Sequence, residues 1–178
     1  MKKILLFTIV SMSVTFGSAQ FVPSGQGSSV VFKIRNFGFE VTGKFTDIRG
    51  RIHFDPQNAA SDSFDIVVAA ASINTDNNLR DSHLKGEGYF DIANYPDIHF
   101  ISTGITVGTN KGMYLLTGRL TIKNIVREIK FPFVATADGE GYVLKGSFKI
   151  KRKDFNVGGT STIADELEVL LDVQAKKA

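Results

Sequence analysis

The most informative part of this sequence is residues 74–100, which read NTDNNLRDSHLKGEGYFDIANYPDIHF. The segment interrupts a chain that otherwise looks like a succession of β-strands, and a long connection inside a compact β domain is usually functional or covers something. Its charged residues crowd against Leu84, Tyr89 and Phe90, so one side needs an apolar cover while the other can stay in water. We therefore expect a short helical insertion, at about residues 79–94, over the mouth of an apolar β-barrel.

Hydrophobic residues in the rest of the chain recur with a period of two, which is typical of β-strands with one buried face. In residues 144–151, for example, leucine, glycine, phenylalanine and isoleucine alternate with lysine and serine. Turn signals such as Gly50, Lys123-Asn124 and Asp138-Gly139 separate the segments. Tight turns join antiparallel neighbours, so we predict an all-β, antiparallel sheet with one wet and one dry face.

About eight strands of this kind can close into a barrel or stack as a sandwich. Long strands with tight turns in the second half of the chain favour an up-and-down barrel. The predicted inward positions also include Gly43, Gly118 and Gly146 among large side chains. Glycine inside a strand often marks the close approach of a backbone or a ligand. We expect these glycines to leave interior space, so that an eight-stranded antiparallel barrel can hold a ligand.

The predicted inner faces indicate the chemistry of that ligand. The chain contains 15 phenylalanines and no tryptophan, and few ionisable groups fall on the inner faces. Burying a charged or unpaired polar group there would be costly, so the occupant should be long and apolar, as a lipid is. A core filled entirely by its own phenylalanines is the competing interpretation.

The first residues of the chain predict export. Lys2 and Lys3 precede an apolar run over residues 4–16, and Gly17-Ser18-Ala19 supplies the small residues of a cleavage site. This pattern is typical of a signal peptide at residues 1–19, cleaved after Ala19, and the run is too short to span a bilayer comfortably. It leaves a single periplasmic or secreted domain at residues 20–178, which has no cysteine and so no disulfide.

Charge and motifs exclude several other classes. Without Lys2 and Lys3 the chain is almost neutral, whereas nucleic-acid binding needs a basic stripe with aromatic residues. No G-x-S-x-G, G-x-G-x-x-G or P-loop pattern is present, and there is no cysteine nucleophile. His53, His83 and His99 lack the close spacing of a zinc site, so neither a metal nor a cofactor is expected.

A resemblance to a known family agrees with the lipid interpretation. Residues 79–96 resemble the signature of the YceI family, bacterial lipocalin-like proteins that bind polyisoprenoids. The matching positions are Arg80-Asp81, His83-Leu84-Lys85, Phe90-Asp91 and Tyr95-Pro96. Further matches follow in order along the chain and include Gly43-Lys44-Phe45, Phe54-Asp55-Pro56, residues 118–122 and residues 152–156.

The resemblance implies an extended antiparallel barrel with a helical insertion around Arg80. It also implies that an amphiphilic isoprenoid chain, such as a quinone or a prenol, occupies the bore. The chain departs from the family pattern at Asn124, where the family usually has glycine, and at Val126 and Arg127.

Two sets of residues are the candidate site. We expect the inward positions of the strands and Phe90 to form the wall that contacts the ligand: Phe32, Ile34, Gly43, Phe45, Ile66, Val68, Phe90, Phe100, Gly118, Leu120, Phe131, Phe133, Gly146 and Phe148. The lid residues are Arg80, Asp81, His83 and Leu84. Asn78 or Asp76 should cap the helix, and the charge pair Arg80-Asp81 should fix the lid to the rim. His83 either contacts a head group or is structural.

The sequence thus predicts a protein that binds and sequesters or transports an isoprenoid or similar lipid (a quinone, a prenol or a fatty-acid derivative). Its partner would be this small molecule, with no integral membrane span; transient membrane contact stays open. Whether the barrel acts as a homodimer stays open. Two alternatives remain, namely an enzyme or stress-response factor acting on a lipid-like substrate in the same pocket, and a structural or interaction barrel without a ligand.

Overall fold

A computed structural model describes residues 19–178 of the chain. All of the predicted signal peptide except Ala19 lies outside the described residues. The strands are β1 (Gln20–Pro23), β2 (Ser29–Asn36), β3 (Phe39–Phe45), β4 (Ile48–His53), β5 (Ser63–Ala69), β6 (Asp97–Val107), β7 (Met113–Ile122), β8 (Ile125–Asp138), β9 (Gly141–Lys151) and β10 (Ile163–Lys177). One α-helix, α1 (Asn78–Lys85), and three 3-10 turns (Ala59–Ser61, Ala70–Ser72 and Arg152–Phe155) complete this part of the chain.

The strands form a closed, fully antiparallel barrel. From β4 to β10 each strand pairs with the next along the chain. On its other side, β10 pairs with β2 over residues 163–172 and with β1 over residues 175–177. Because β2 pairs with β3 and β1 with β4, these four segments fill only two positions around the barrel. The ten segments therefore occupy eight positions, and the predicted eight-stranded barrel is confirmed.

Aromatic side chains fill the end of the barrel at which β7 and β9 begin. Phe54 is 2% exposed, and the centroid of its ring lies 5.1 Å from that of Tyr114 and 5.0 Å from that of Tyr142. These edge-to-face contacts are the favoured geometry for aromatic pairs. We call this group the aromatic plug; it comprises Phe21, Phe54, Phe64, Tyr114, Phe133 and Tyr142.

The insertion lies at the opposite end, between β5 and β6. Its helix is shorter than predicted, because Gly86 ends it and residues 87–94 form turns. Asp91 has a φ of 49°, a left-handed conformation that a helix does not allow. The helix cap is Asn77, whose side chain accepts a hydrogen bond of 2.9 Å from the Arg80 amide, and not Asn78 or Asp76.

A buried arginine organises the loop between β9 and β10 at the same end. Arg152 is 5% exposed, and its guanidinium donates hydrogen bonds to five backbone carbonyls, those of Val157, Gly159, Ser161, Ile163 and Ala164. A guanidinium carries five N–H donors in a fixed planar arrangement, which suits this ring of acceptors. The loop is therefore shaped around one side chain.

Within residues 19–178, no helix is both long enough and apolar enough to cross a bilayer.

Candidate functional site

The barrel contains an apolar cavity of about 220 Å³, which we call the barrel cavity. Its wall reaches from Phe133 in the aromatic plug to Leu84 and Phe90 in the insertion. The cavity therefore runs along the barrel axis, with the plug at one end and the insertion as a lid at the other. Phe90 is held against Phe45 of β3 in an edge-to-face contact, with 5.6 Å between the ring centroids.

The structure brings the predicted wall residues together around the barrel cavity, with the exception of Gly43 and Gly118. The expectation of empty space was wrong at Gly43 and Gly118, and at Gly146 a Cβ atom would also lie 2.9 Å from a backbone carbonyl oxygen. A Cβ atom at Gly43 would lie 2.6 Å from Cε1 of Phe32, the residue directly opposite on β2. A Cβ atom at Gly118 would lie 2.6 Å from Cε2 of Phe100. Phenylalanine rings thus already occupy the space that the missing side chains would fill.

The two glycines still affect the shape of the cavity, though indirectly. Because Gly43 and Gly118 have no side chain, the rings of Phe32 and Phe100 can lie against the sheet beside them. A ring in that position covers the wall and leaves the barrel axis free. The hollow interior therefore depends on pairing each glycine with an aromatic neighbour.

Two charged lid residues fix helix α1 to Thr75, which lies in the segment that precedes the helix. The carboxylate of Asp81, which is 8% exposed, accepts hydrogen bonds from the amide of Thr75 at 2.9 Å and from its hydroxyl at 2.5 Å. Nε of Arg80 donates to the Thr75 hydroxyl oxygen at 2.8 Å, and Nη2 donates to the Thr75 carbonyl at 2.6 Å. Neither Arg80 nor Asp81 lies on the cavity wall. Both face Thr75, a residue whose role was not apparent from the sequence.

A second set of contacts holds the part of the lid that follows helix α1. Nζ of Lys123, in the turn between β7 and β8, donates to the carbonyls of Glu87 and Asn156, each at 3.2 Å. The amide of Gly158 donates to the carbonyl of Gly88 at 2.9 Å. This part of the lid is therefore tied to both neighbouring loops.

Leu84, Tyr89 and Phe90 are the lid side chains that reach the barrel cavity. His83 is exposed and does not line the cavity. Its ring packs edge-on against that of Tyr89, with 4.9 Å between the centroids. Tyr89 was absent from the predicted site, although its position directly before Phe90 in the insertion could have indicated it.

The wall is almost free of polar groups. Among the residues that line the cavity, only Tyr89, Lys145 and Arg152 have polar side chains. Nζ of Lys145 lies 2.8 Å from the Asp172 carboxylate, with both side chains largely exposed, and the Arg152 guanidinium is bound to backbone carbonyls. Tyr89 therefore remains as the polar wall residue that could meet a ligand. Because an unpaired charge would be costly here, the cavity suits a neutral, apolar molecule.

No histidine of the described residues lines the barrel cavity. His99 lies on β6, where its Nε2 is 2.7 Å from Oδ1 of Asp65, and this hydrogen bond is the main reason that the pKa of Asp65 is lowered. Among residues 19–178, no group of three or more histidine, cysteine, aspartate or glutamate side chains could hold a metal ion.

A closed antiparallel barrel with a plug, a lid and an apolar cavity between them belongs to the lipocalin-like class. The family model of the YceI-like domain matches residues 21–175, so the chain belongs to the YceI-like family. A UPF0312 protein of Yersinia enterocolitica is 27% identical over 192 residues, which cover 99% of this chain and 98% of that protein.

Solved structures show the same fold. BcnA of Burkholderia cenocepacia has a TM-score of 0.81 and 27% identity, covering 86% of this chain and 99% of its own. The YceI protein of Campylobacter jejuni has a TM-score of 0.70 and 23% identity over the full length of both chains. A domain of Saccharophagus degradans, described as polyisoprenoid binding and implicated in plant cell wall breakdown, has a TM-score of 0.70 and 14% identity, covering 91% of this chain and 100% of its own.

Proposed function

We propose that this protein binds a neutral lipid with a long apolar tail, of the isoprenoid class, in the barrel cavity. The observation that carries the proposal is the cavity itself, whose wall offers aliphatic and aromatic side chains at nearly every position. The description of the Saccharophagus degradans domain as polyisoprenoid binding supports this ligand class, although its 14% identity to this chain shows the fold alone. Within the class, a prenol and a quinone both combine an apolar tail with a small uncharged head.

Apolar burial would supply most of the affinity. Each Å² of apolar surface removed from water is worth about 25 cal/mol, and each buried CH₂ group about 0.8 kcal/mol. The tail would lie along the axis between the aromatic plug and the lid, and the head group would lie at the lid end near Tyr89. Affinity should therefore depend on tail length more than on the chemistry of the head.

The proposed role is to sequester or carry the lipid, as one domain at residues 20–178, without a cofactor. If residues 1–19 direct export, as proposed from their sequence, this takes place in the periplasm or outside the cell. A binding role without chemistry is supported by the wall, which presents Tyr89 and no paired acid and base.

A binding measurement with one matched pair of variants tests the proposal. Leu84 lies on the cavity wall and Ser82 is exposed on the same helix. Farnesol and geranylgeraniol should displace an apolar fluorescent probe from the wild type and from Ser82→Asp. Leu84→Asp should bind at least about tenfold more weakly, because its carboxylate would have to lose water. Equal binding by both variants, or no binding by the wild type, would contradict the proposal.

A further inference from the structure

Three large apolar side chains are exposed at the lid end of the barrel. Phe37 is 74% exposed, Phe39 is 78% exposed and Leu79 is 84% exposed, the highest values among the large hydrophobic residues of the described chain. Phe37 and Phe39 flank Gly38 at the tip of the β2–β3 hairpin, and Leu79 lies in the first turn of α1. We call these three residues the apolar tip.

The hairpin carries Phe37 and Phe39 beyond the cavity. Ile34 on β2 lines the cavity, and Phe37 follows it by three residues, a distance of roughly 10 Å along a strand. Asn36 pairs with Ile163, another wall residue, and Lys44 pairs with Asn74 just before the lid helix. The hairpin therefore connects the cavity wall, the lid and the exposed rings.

The backbone conformation of the hairpin turn is unfavourable for a phenylalanine. Phe37 and Gly38 both have positive φ angles, 52° and 85°, as in the two-residue turns that prefer Asn-Gly. A bulky residue is disfavoured at such an angle. Phe37 therefore adds strain to the turn, while its ring is left almost entirely in water. Exposed apolar groups of this size usually mark a contact surface.

We propose that the apolar tip inserts into the surface of a lipid bilayer, so that the ligand passes between the bilayer and the barrel cavity at the lid end. This inference rests on the proposed function, because a bilayer is the medium in which a long-tailed isoprenoid dissolves. The charge of the β2–β3 hairpin also supports contact with a lipid bilayer. The hairpin carries Lys33, Arg35 and Lys44 against Glu40 alone, and Glu40 lies 3.8 Å from Lys33.

Apolar rings flanked by basic side chains match the interface of an anionic bilayer. A second copy of the chain is a poorer match to the apolar tip. A contact between two copies through this surface would bring the basic side chains of both hairpins together, and like charges there cost free energy.

Co-sedimentation with vesicles of phosphatidylcholine and phosphatidylglycerol in equal parts tests the inference. The double variant Phe37→Asn with Phe39→Thr should bind vesicles at least about tenfold more weakly than the wild type, because it loses two inserting rings. It should fold at least as stably, since Asn-Gly suits the turn. Val107→Thr is the matched control, because Val107 is 66% exposed at the opposite end of the barrel; its vesicle binding should equal that of the wild type.

The outcomes separate this inference from the proposed function. If the double variant binds vesicles as well as the wild type, or if the wild type does not bind them, the inference is wrong. It is also wrong if the double substitution changes the sedimentation coefficient of the free protein, which would identify the tip as an interface between copies. Farnesol uptake from dilute solution is measured in parallel. If the wild type binds vesicles but takes up no farnesol, the docking surface is supported and the lipid-carrying function is contradicted.

Discussion

The phenyl ring of Phe100 occupies the space beside Gly118 that any other residue's side chain would need. A Cβ atom at Gly118 would lie 2.6 Å from Cε2 of that ring, closer still to Cζ, and 2.7 Å from the carbonyl oxygen of Ile101. Phe32 and Gly43 are arranged in the same way on β2 and β3. In both places an aromatic ring is accommodated against the sheet, and the bore beside it stays open.

Replacing Gly118 by alanine should destabilise the barrel. We expect the free energy of unfolding in urea to fall by about 1–3 kcal/mol, because Phe100 would have to leave its position. Gly104→Ala is the matched control on β6, since a Cβ atom there would meet nothing within 4 Å; we expect a change within about 0.5 kcal/mol. Equal unfolding free energies for the two variants would show that the position of the Phe100 ring does not depend on Gly118.

The five hydrogen bonds that the Arg152 guanidinium donates should be required for stability. Arg152→Met would leave buried carbonyls unpaired, and we expect a loss of at least about 2 kcal/mol in the free energy of unfolding. Arg152→Lys should rescue little of this loss, because an ammonium has three donors and lacks the planar arrangement. Arg127→Met is the control, because exposed Arg127 donates, within residues 19–178, a hydrogen bond only to the carbonyl of Val126. A lysine variant as stable as the wild type would refute the requirement.

Asp81 should hold the lid closed. Removing its carboxylate in Asp81→Ala leaves the amide and hydroxyl of Thr75 without their acceptor, at a cost of about 1–3 kcal/mol. We expect faster hydrogen exchange over residues 78–94 and faster release of a bound prenol. Asp76→Asn, at an exposed position before the helix, should change neither. Unchanged exchange in the Asp81 variant would mean that the lid is fixed elsewhere.

Asp62 should make stability depend on pH. Asp62 is 7% exposed, and burial raises the pKa of its carboxyl group from 3.8 to about 6; a hydrogen bond from the Asp55 amide lowers this pKa, and repulsion from the Asp55 carboxylate raises it further. A pKa raised on folding favours the native state at low pH, and this contribution is lost as pH rises from about 4 through 6.

Asp62→Asn should remove the loss of stability that the wild type shows as pH rises above about 4. Relative to the wild type, the free energy of unfolding of the variant should improve by about 2–3 kcal/mol between pH 4 and pH 8. Unfolding in guanidinium chloride at several pH values measures this difference. If the two proteins follow parallel pH profiles, Asp62 is not the group responsible.

The sequence predicted the barrel because its strands alternate, clearly in the second half of the chain and more weakly in the first, and alternation in sequence becomes two faces of a sheet. It did not predict β1, because Gln20–Pro23 is only four residues long and pairs through its backbone with distant strands. The insertion was found, but not its dependence on Thr75, because a side chain that binds both Arg80 and Asp81 is identified only in three dimensions.

The glycines show a different limit of sequence analysis. Their inward positions were inferred from the period of two, yet a pattern of faces does not say which neighbouring ring turns toward a missing side chain. Phe32 and Phe100 turn toward the glycines because of their rotamers, which depend on packing throughout the barrel. Part of the wall could thus be predicted from the alternation, but not Tyr89, the residues of β4 and β10, or the origin of the space within it.

Native mass spectrometry of the protein purified from the cells that produce it, or after incubation with prenols, would detect a lipid bound in the barrel cavity. We expect a complex of the wild type with one apolar lipid whose mass matches an isoprenoid, and a largely free protein for Leu84→Asp. Repeated preparations in which the wild type shows only the mass of the polypeptide, with and without added prenols, would contradict the proposed lipid binding.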